Sequence, residues 1–97
     1  MQGADSFSRI INIMGTKQKW HIMRCLLIGH TKFNQIKRDC NMSSASLSRT
    51  LKYLESRGLV TKRISKSQNP SSEYLLTKAG LEFSDAIDAL SKLGKRI

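Results

Sequence analysis

Ala45, Ser48, Arg49 and Lys52 are small, polar or cationic and lie on one side of a helical period, with Ser44 and Ser46 near its start, whereas Leu47, Leu51 and Leu54 recur on the other. A surface of this kind does hydrogen-bond chemistry, not covalent chemistry. Small residues let a helix approach base edges in the major groove of duplex DNA, and a guanidinium can take the O6 and N7 of guanine together. Arg49 is the residue placed for that role. Ser43 is a side chain suited to capping the helix, and the backbone amides at Ser43 and Ser44 can hold a phosphate. A merely solvated helix normally mixes glutamates among its lysines, and the only acid on this stretch is Glu55, near its far end.

Two further groups extend the same chemistry. Lys62, Arg63, Lys66, Gln68 and Asn69 surround a predicted turn and suit phosphates or the edge of an adjacent minor groove. Protection of a strand edge against aggregation accounts for one or two such lysines but not for the whole set. Lys32, Lys37 and Arg38 precede the helix and are expected at the phosphate backbone, with Arg38 alternatively pairing with Asp39 or Glu55.

Other chemistries find little support. Cys25 lies beside Leu26 and Cys40 in a turn, and both read more readily as small buried hydrophobes than as redox centres. His21 and His30 show no ligand spacing with them, so neither a metal nor a cofactor is expected. The acids are few, and there is no glycine-rich phosphate loop or nucleophile motif, so an enzyme is not expected.

The net charge of +10 over 97 residues is informative for where it falls. Residues 1–16 hold Arg9 against Asp5, and residues 73–97 hold four bases against four acids. Residues 17–66 hold twelve bases against Asp39 and Glu55, the whole of the excess. A neutral-ended chain with a cationic middle is the footprint of a polyanion partner. An anionic membrane fits less well, since no basic helix has an uninterrupted apolar face and no lipidation motif is present. A hydrophobic content of 39% favours a folded globule over a basic tail. No apolar run approaches the length of about 18 residues that spans a bilayer, and no basic n-region opens the chain, so the expected location is cytoplasmic.

The elements that must position these residues follow from periodicity and caps. Asp5 or Ser6 to Gly15 predicts a helix with Phe7, Ile10, Ile11 and Met14 apolar. A second helix runs from Thr16 or Lys17 to about Ile28 and is expected to bury Trp20, Met23, Leu26 and Leu27. His30 to Lys32 suggests a short strand, and Phe33 to about Asp39 a short helix with Phe33 and Ile36 inward. Cys40, Asn41 and Met42 turn the chain into a helix from Ser43 to Arg57, which Gly58 ends. Leu59–Lys66 and Glu73–Thr77 form a hairpin around Gln68, Asn69 and Pro70. Thr77 caps a last helix to about Leu93, with Leu81, Phe83, Ala86, Ile87, Leu90 and Leu93 on its apolar arc.

This order, mainly α with a small β-hairpin, is that of a winged helix-turn-helix carrying additional terminal helices. Lys32-Phe33-Asn34-Gln35-Ile36, Met42-Ser43, Leu47, Leu51, Leu54-Glu55, Gly58-Leu59-Val60 and Glu73-Tyr74-Leu75-Leu76-Thr77 with Gly80 resemble the signature of HxlR-type regulators, small dimeric relatives of the MarR repressors. The resemblance spans roughly residues 19 to 93. It implies one domain over residues 1–97, with a winged-helix core at 16–77 and pairing helices at 1–15 and 78–97. It also implies a transcriptional regulator that binds duplex DNA sequence-specifically as a homodimer. The apolar residues Phe7, Ile10, Ile11, Met14, Phe83, Ala86, Ile87, Leu90 and Leu93 are the expected dimer interface, since a core of this size cannot bury both sets. A protein-interaction or RNA-binding winged helix is the alternative, although aromatics for base stacking are scarce on the cationic segments. The chain departs from the family in its Trp20 position and in keeping a single wing proline, Pro70. The family's N-terminal redox cysteine is absent, because Cys25 is the first cysteine, so that thiol mechanism does not carry over.

Overall fold

The computed structural model describes residues 2–64 and 71–97, with their side chains except those of residues 2–5, 7 and 14. Helix α1 (Gln2–Met14) leads into α2 (Lys17–Leu27), α3 (Phe33–Cys40) and α4 (Ser44–Ser56). The hairpin strands β1 (Val60–Ile64) and β2 (Ser72–Leu76) follow, and α5 (Lys78–Gly94) closes the order. The winged helix-turn-helix expected from the sequence is the fold observed.

The core forms where three helices and the hairpin base meet. Ile22 and Met23 of α2, Ile36 of α3, Leu47, Leu51 and Leu54 of α4 and Val60 of β1 are almost fully buried. On α4 the steps of four and three residues keep one stripe inward, so the opposite stripe is left to solvent. Ser43 caps α4 as expected, its Oγ accepting from the Ser46 amide at 3.1 Å. Asn41, in the left-handed region at φ 52°, ends α3 and lets the chain reverse within three residues. Gly58 makes the corresponding exit from α4 at φ +74°.

The hairpin registers Val60 against Leu76 and Ile64 against Ser72. The strand expected at His30–Lys32 is a single bridge, Lys32 to Glu73, supported by the Tyr74 amide donating to the Thr31 carbonyl at 2.9 Å. Thr77 caps α5 by accepting from the Gly80 amide at 3.0 Å, and its hydroxyl donates to the Gly58 carbonyl. Gly80 permits this junction: a Cβ there would stand 2.1 Å from the Leu59 carbonyl oxygen.

Three expectations need correction. Helix α1 begins at Gln2, upstream of the Asp5 or Ser6 cap. Leu27 is half exposed instead of buried, because it faces the open cleft toward α5 while Cys25 and Leu26 of the same turn face the core, and Ile28 is exposed with it. Phe83, expected in the dimer interface, is half-buried and packs against the core from α5.

Candidate nucleic-acid interface

Helix α4 carries the outward row. Ser44, Ala45, Arg49 and Lys52 are exposed and Ser46 and Ser48 half-buried, with Ala45, Arg49 and Lys52 opposite Leu47, Leu51 and Leu54. Arg49 lies along the helix with its Nη2 donating to the Ser46 Oγ at 3.4 Å, a long bond that holds the guanidinium loosely and leaves its other donors open. Thr50 bonds back to the Ser46 carbonyl at 2.8 Å and takes no part in the outer row. Ser43 is exposed at the helix N-terminus, where the unpaired amides and the helix dipole favour an anion. The face presents cations and small polar side chains to solvent.

The hairpin brings a second cationic group beside the α3 N-terminus, and it is partly neutralised. Arg63 donates to Glu73 at 3.1 Å across the strand pair, and Lys32 approaches the same carboxylate at 4.0 Å while donating to Ser71 at 2.8 Å. Glu73 thus gathers two of the expected phosphate contacts. Lys62 stands over the ring of Tyr74, its registered partner, at 5.9 Å and keeps its ammonium exposed. Lys66, Gln68 and Asn69 lie outside the described residues. On α3, Arg38 is exposed and Lys37 half-buried. Arg38 makes no ion pair among the described residues, because Asp39 is hydrogen-bonded to His30 instead.

Two cations escaped the residue-by-residue assignment. Lys19 of α2 sits 4.3 Å over the ring of Tyr53, and Arg57 at the end of α4 sits 5.3 Å from it. Lys19 also donates to the Asn12 carbonyl of α1 at 3.1 Å. The four-residue spacing from Tyr53 to Arg57 is a signal in the sequence for the second contact. Nothing local in the sequence announces the first.

The apolar residues expected to pair subunits remain largely uncovered. Ile10 and Ile11 on α1 and Leu90 and Leu93 on α5 are each more than two-fifths exposed, Ala86 is exposed and Ile87 half-buried. The side chains of Phe7 and Met14 lie outside the described set. Leu81 on α5 and the last turn of α2 extend this apolar surface. A cleft of about 390 Å³ between α2 and α5 is lined in part by Trp20, Met23, Leu27 and Ile87. Among the described residues no helix is long and apolar enough to cross a membrane, and no group of three or more metal-binding side chains is assembled.

Comparison with known proteins gives a consistent result. A family model for HxlR-like helix-turn-helix proteins matches residues 13–97. An uncharacterized HTH-type transcriptional regulator from Methanothermobacter thermautotrophicus is 34% identical over 86 residues, which is 88% of this chain and 66% of that protein. This chain therefore spans just under two thirds of that relative's length. A solved structure from Enterococcus faecalis V583, assigned to the MarR family of transcriptional regulators, superposes with a TM-score of 0.85 at 25% identity, covering 96% of this chain and 86% of that one. The reduced transcriptional regulator YodB from B. subtilis shares the fold at a TM-score of 0.83 and 19% identity, over 95% of this chain and 91% of that one.

Proposed function

Because this chain belongs to the HxlR-like helix-turn-helix family, we propose that it regulates transcription by binding duplex DNA sequence-specifically as a symmetric dimer in the cytoplasm. Helix α4 enters the major groove, with Arg49 reading guanine and Ser44, Ala45 and Ser48 allowing close approach. Lys52, Lys37, Arg38 and the amides at Ser43 and Ser44 hold phosphates, and the hairpin with Lys62 and Arg63 lies near the adjacent minor groove. Residues 16–77 act as the DNA-binding core. Residues 1–15 and 78–97 pair two copies and set the α4 helices about one DNA turn, roughly 34 Å, apart over an inverted repeat.

The observation that carries this reading is the outer face of α4: exposed Arg49 and Lys52 among small residues, with no acid before Glu55, opposite a fully buried leucine stripe. The test is a titration of labelled duplex selected from a random pool, repeated as salt is raised. Displacement of condensed counterions by six or more contacts across a dimer predicts a loss of affinity of about a thousandfold or more between roughly 50 and 200 mM salt. A flat dependence of log K on log salt, or no enrichment of any sequence, overturns the proposal.

A further inference from the structure

Cys25 and Cys40, fifteen residues apart in the chain, bring their sulfurs within 3.6 Å of each other. Cys25 is buried in the last turn of α2, and Cys40, the last residue of α3, is half-buried. Both stand on fixed supports. The His30 amide donates to the Cys25 carbonyl at 2.9 Å, and the His30 ring is hydrogen-bonded to Asp39, the residue before Cys40. The ends of α2 and α3 are therefore tied beside the thiols already. Both sulfur-bearing residues also line a cavity of about 310 Å³, together with His21, Arg24, His30 and Asp39, through which a small reagent can reach them.

We infer that Cys25 and Cys40 are a modification site, an intrachain disulfide whose closure shifts the α3–α4 turn and weakens DNA binding. A disulfide brings its sulfurs to about 2.05 Å, so closure draws them together by roughly 1.5 Å. Only Asn41, Met42 and Ser43 separate Cys40 from α4. Asn41 is already in the left-handed region, Met42 is buried in the core, and Ser43 holds the α4 cap. No residue of this turn has slack to absorb the displacement, which passes to the helix cap and to the position of α4.

The chemistry needs a two-electron oxidant of the hydroperoxide or diazene class. With a hydroperoxide, the Cys25 sulfur attacks the O–O bond, giving a sulfenic acid and releasing water or an alcohol. The Cys40 sulfur then attacks the Cys25 sulfur, the S–O bond breaks, and hydroxide leaves with the Cys40 proton as water. Two thiols are oxidised and one peroxide is reduced. Burial, then the hydrogen bond and charge of Cys25 and the charge of Asp39, push the Cys40 thiol up to about 12. Cys40 therefore keeps its proton at neutral pH and is the second sulfur to react.

The experiment oxidises the purified full chain with hydrogen peroxide and, separately, with diamide, and follows intact mass, disulfide-linked peptides and affinity for the selected duplex. The expected result is loss of two hydrogens per chain and a Cys25–Cys40 linked peptide. With it goes a fall in affinity of about tenfold or more, restored by dithiothreitol. Cys25→Ala and Cys40→Ala should each bind like the reduced chain and ignore the oxidant. The mass and peptide measurements need no variant, so they decide the point even where an alanine variant folds poorly. Two thiols that stay alkylatable, a disulfide between chains, or an intrachain disulfide that leaves affinity unchanged overturns the inference. The regulatory half rests on the proposed DNA binding. Failure of the reduced chain to bind duplex condemns that reading, whereas the mass measurement tests the thiol pair alone.

Discussion

The cationic middle of the chain and its neutral ends solve opposite physical problems with the same secondary structure. Helices α3 and α4 and strand β1 turn apolar residues inward and leave cations outside, so this surface attracts a polyanion and repels a copy of itself. The terminal segments 1–16 and 73–97 are each net neutral and leave Ile10, Ile11, Leu90 and Leu93 exposed, so they lack the repulsion of the middle and gain by association. One attraction is screened by salt and the other is not. In the proposed dimer, this separation would let two copies join at their ends without bringing their charged faces together.

The strongest way to break this contrast is at the apolar ends. Ile11→Glu combined with Leu90→Glu places four carboxylates in the proposed dimer interface, and the dimer dissociation constant should rise by about a hundredfold or more, about 2.7 kcal/mol. Helical content should hardly change, since both positions are about half exposed. Sedimentation across a micromolar range reads the result. An unmutated chain that sediments as an 11.0 kDa monomer would sink the pairing role. The contrast sharpens if salt that abolishes duplex binding leaves the unmutated dimer intact.

Within the cationic region, base reading and phosphate attraction should separate. Arg49→Ala is expected to cost about 1–3 kcal/mol on the selected duplex and to relax preference at one base pair. Lys62→Ala should weaken matched and scrambled duplexes alike and reduce the salt slope by about one. Competition binding with the two duplexes distinguishes them. The same pattern from both variants would show that Arg49 reads no base.

Local signals made much of this legible, and non-local ones were silent. The α4 stripe, the Ser43 cap and the Gly58 exit lie within sixteen residues of one another, and each depends on neighbours in the chain, so periodicity and turn chemistry suffice to find them. The same holds for Thr77 at the start of α5. Leu27 was misread because its period places it on the buried stripe, while burial also requires something to cover it: Cys25 and Leu26 of the same turn are covered, whereas Leu27 lines the open cleft toward α5. Glu73 reads as one acid of a neutral segment, yet folding sets it against Arg63 across the strand pair and against Lys32, forty-one residues away. Lys19 over Tyr53 and the meeting of Cys25 with Cys40 have the same origin, side chains from separate helices brought together by packing alone. The core was visible in the sequence, whereas the partners of individual polar groups depended on packing.

The smallest expected effect tests whether position or total charge governs the cationic face. Glu73 is three-quarters buried in side-chain terms and engages both Arg63 and Lys32, so Glu73→Gln keeps the shape and releases two cations. With both cations more than half exposed, pairs of this kind are worth at most about 1 kcal/mol, and the freed charges should raise affinity for any duplex by about threefold. The salt slope should steepen by about one for each cation that moves onto a phosphate. Asp88→Asn is the matched control: it removes the same charge from α5, where Asp88 pairs with Lys92 at 3.3 Å on the neutral side of the molecule. At moderate salt the Debye length is about 8–10 Å, so a charge lost on α5 is screened from DNA lying on α4 and should leave affinity nearly unchanged. Unequal responses from the two variants tie the attraction to the local arrangement around the hairpin. Equal gains would mean that net charge alone sets the affinity, and the division of labour between middle and ends would fail in its electrostatic half.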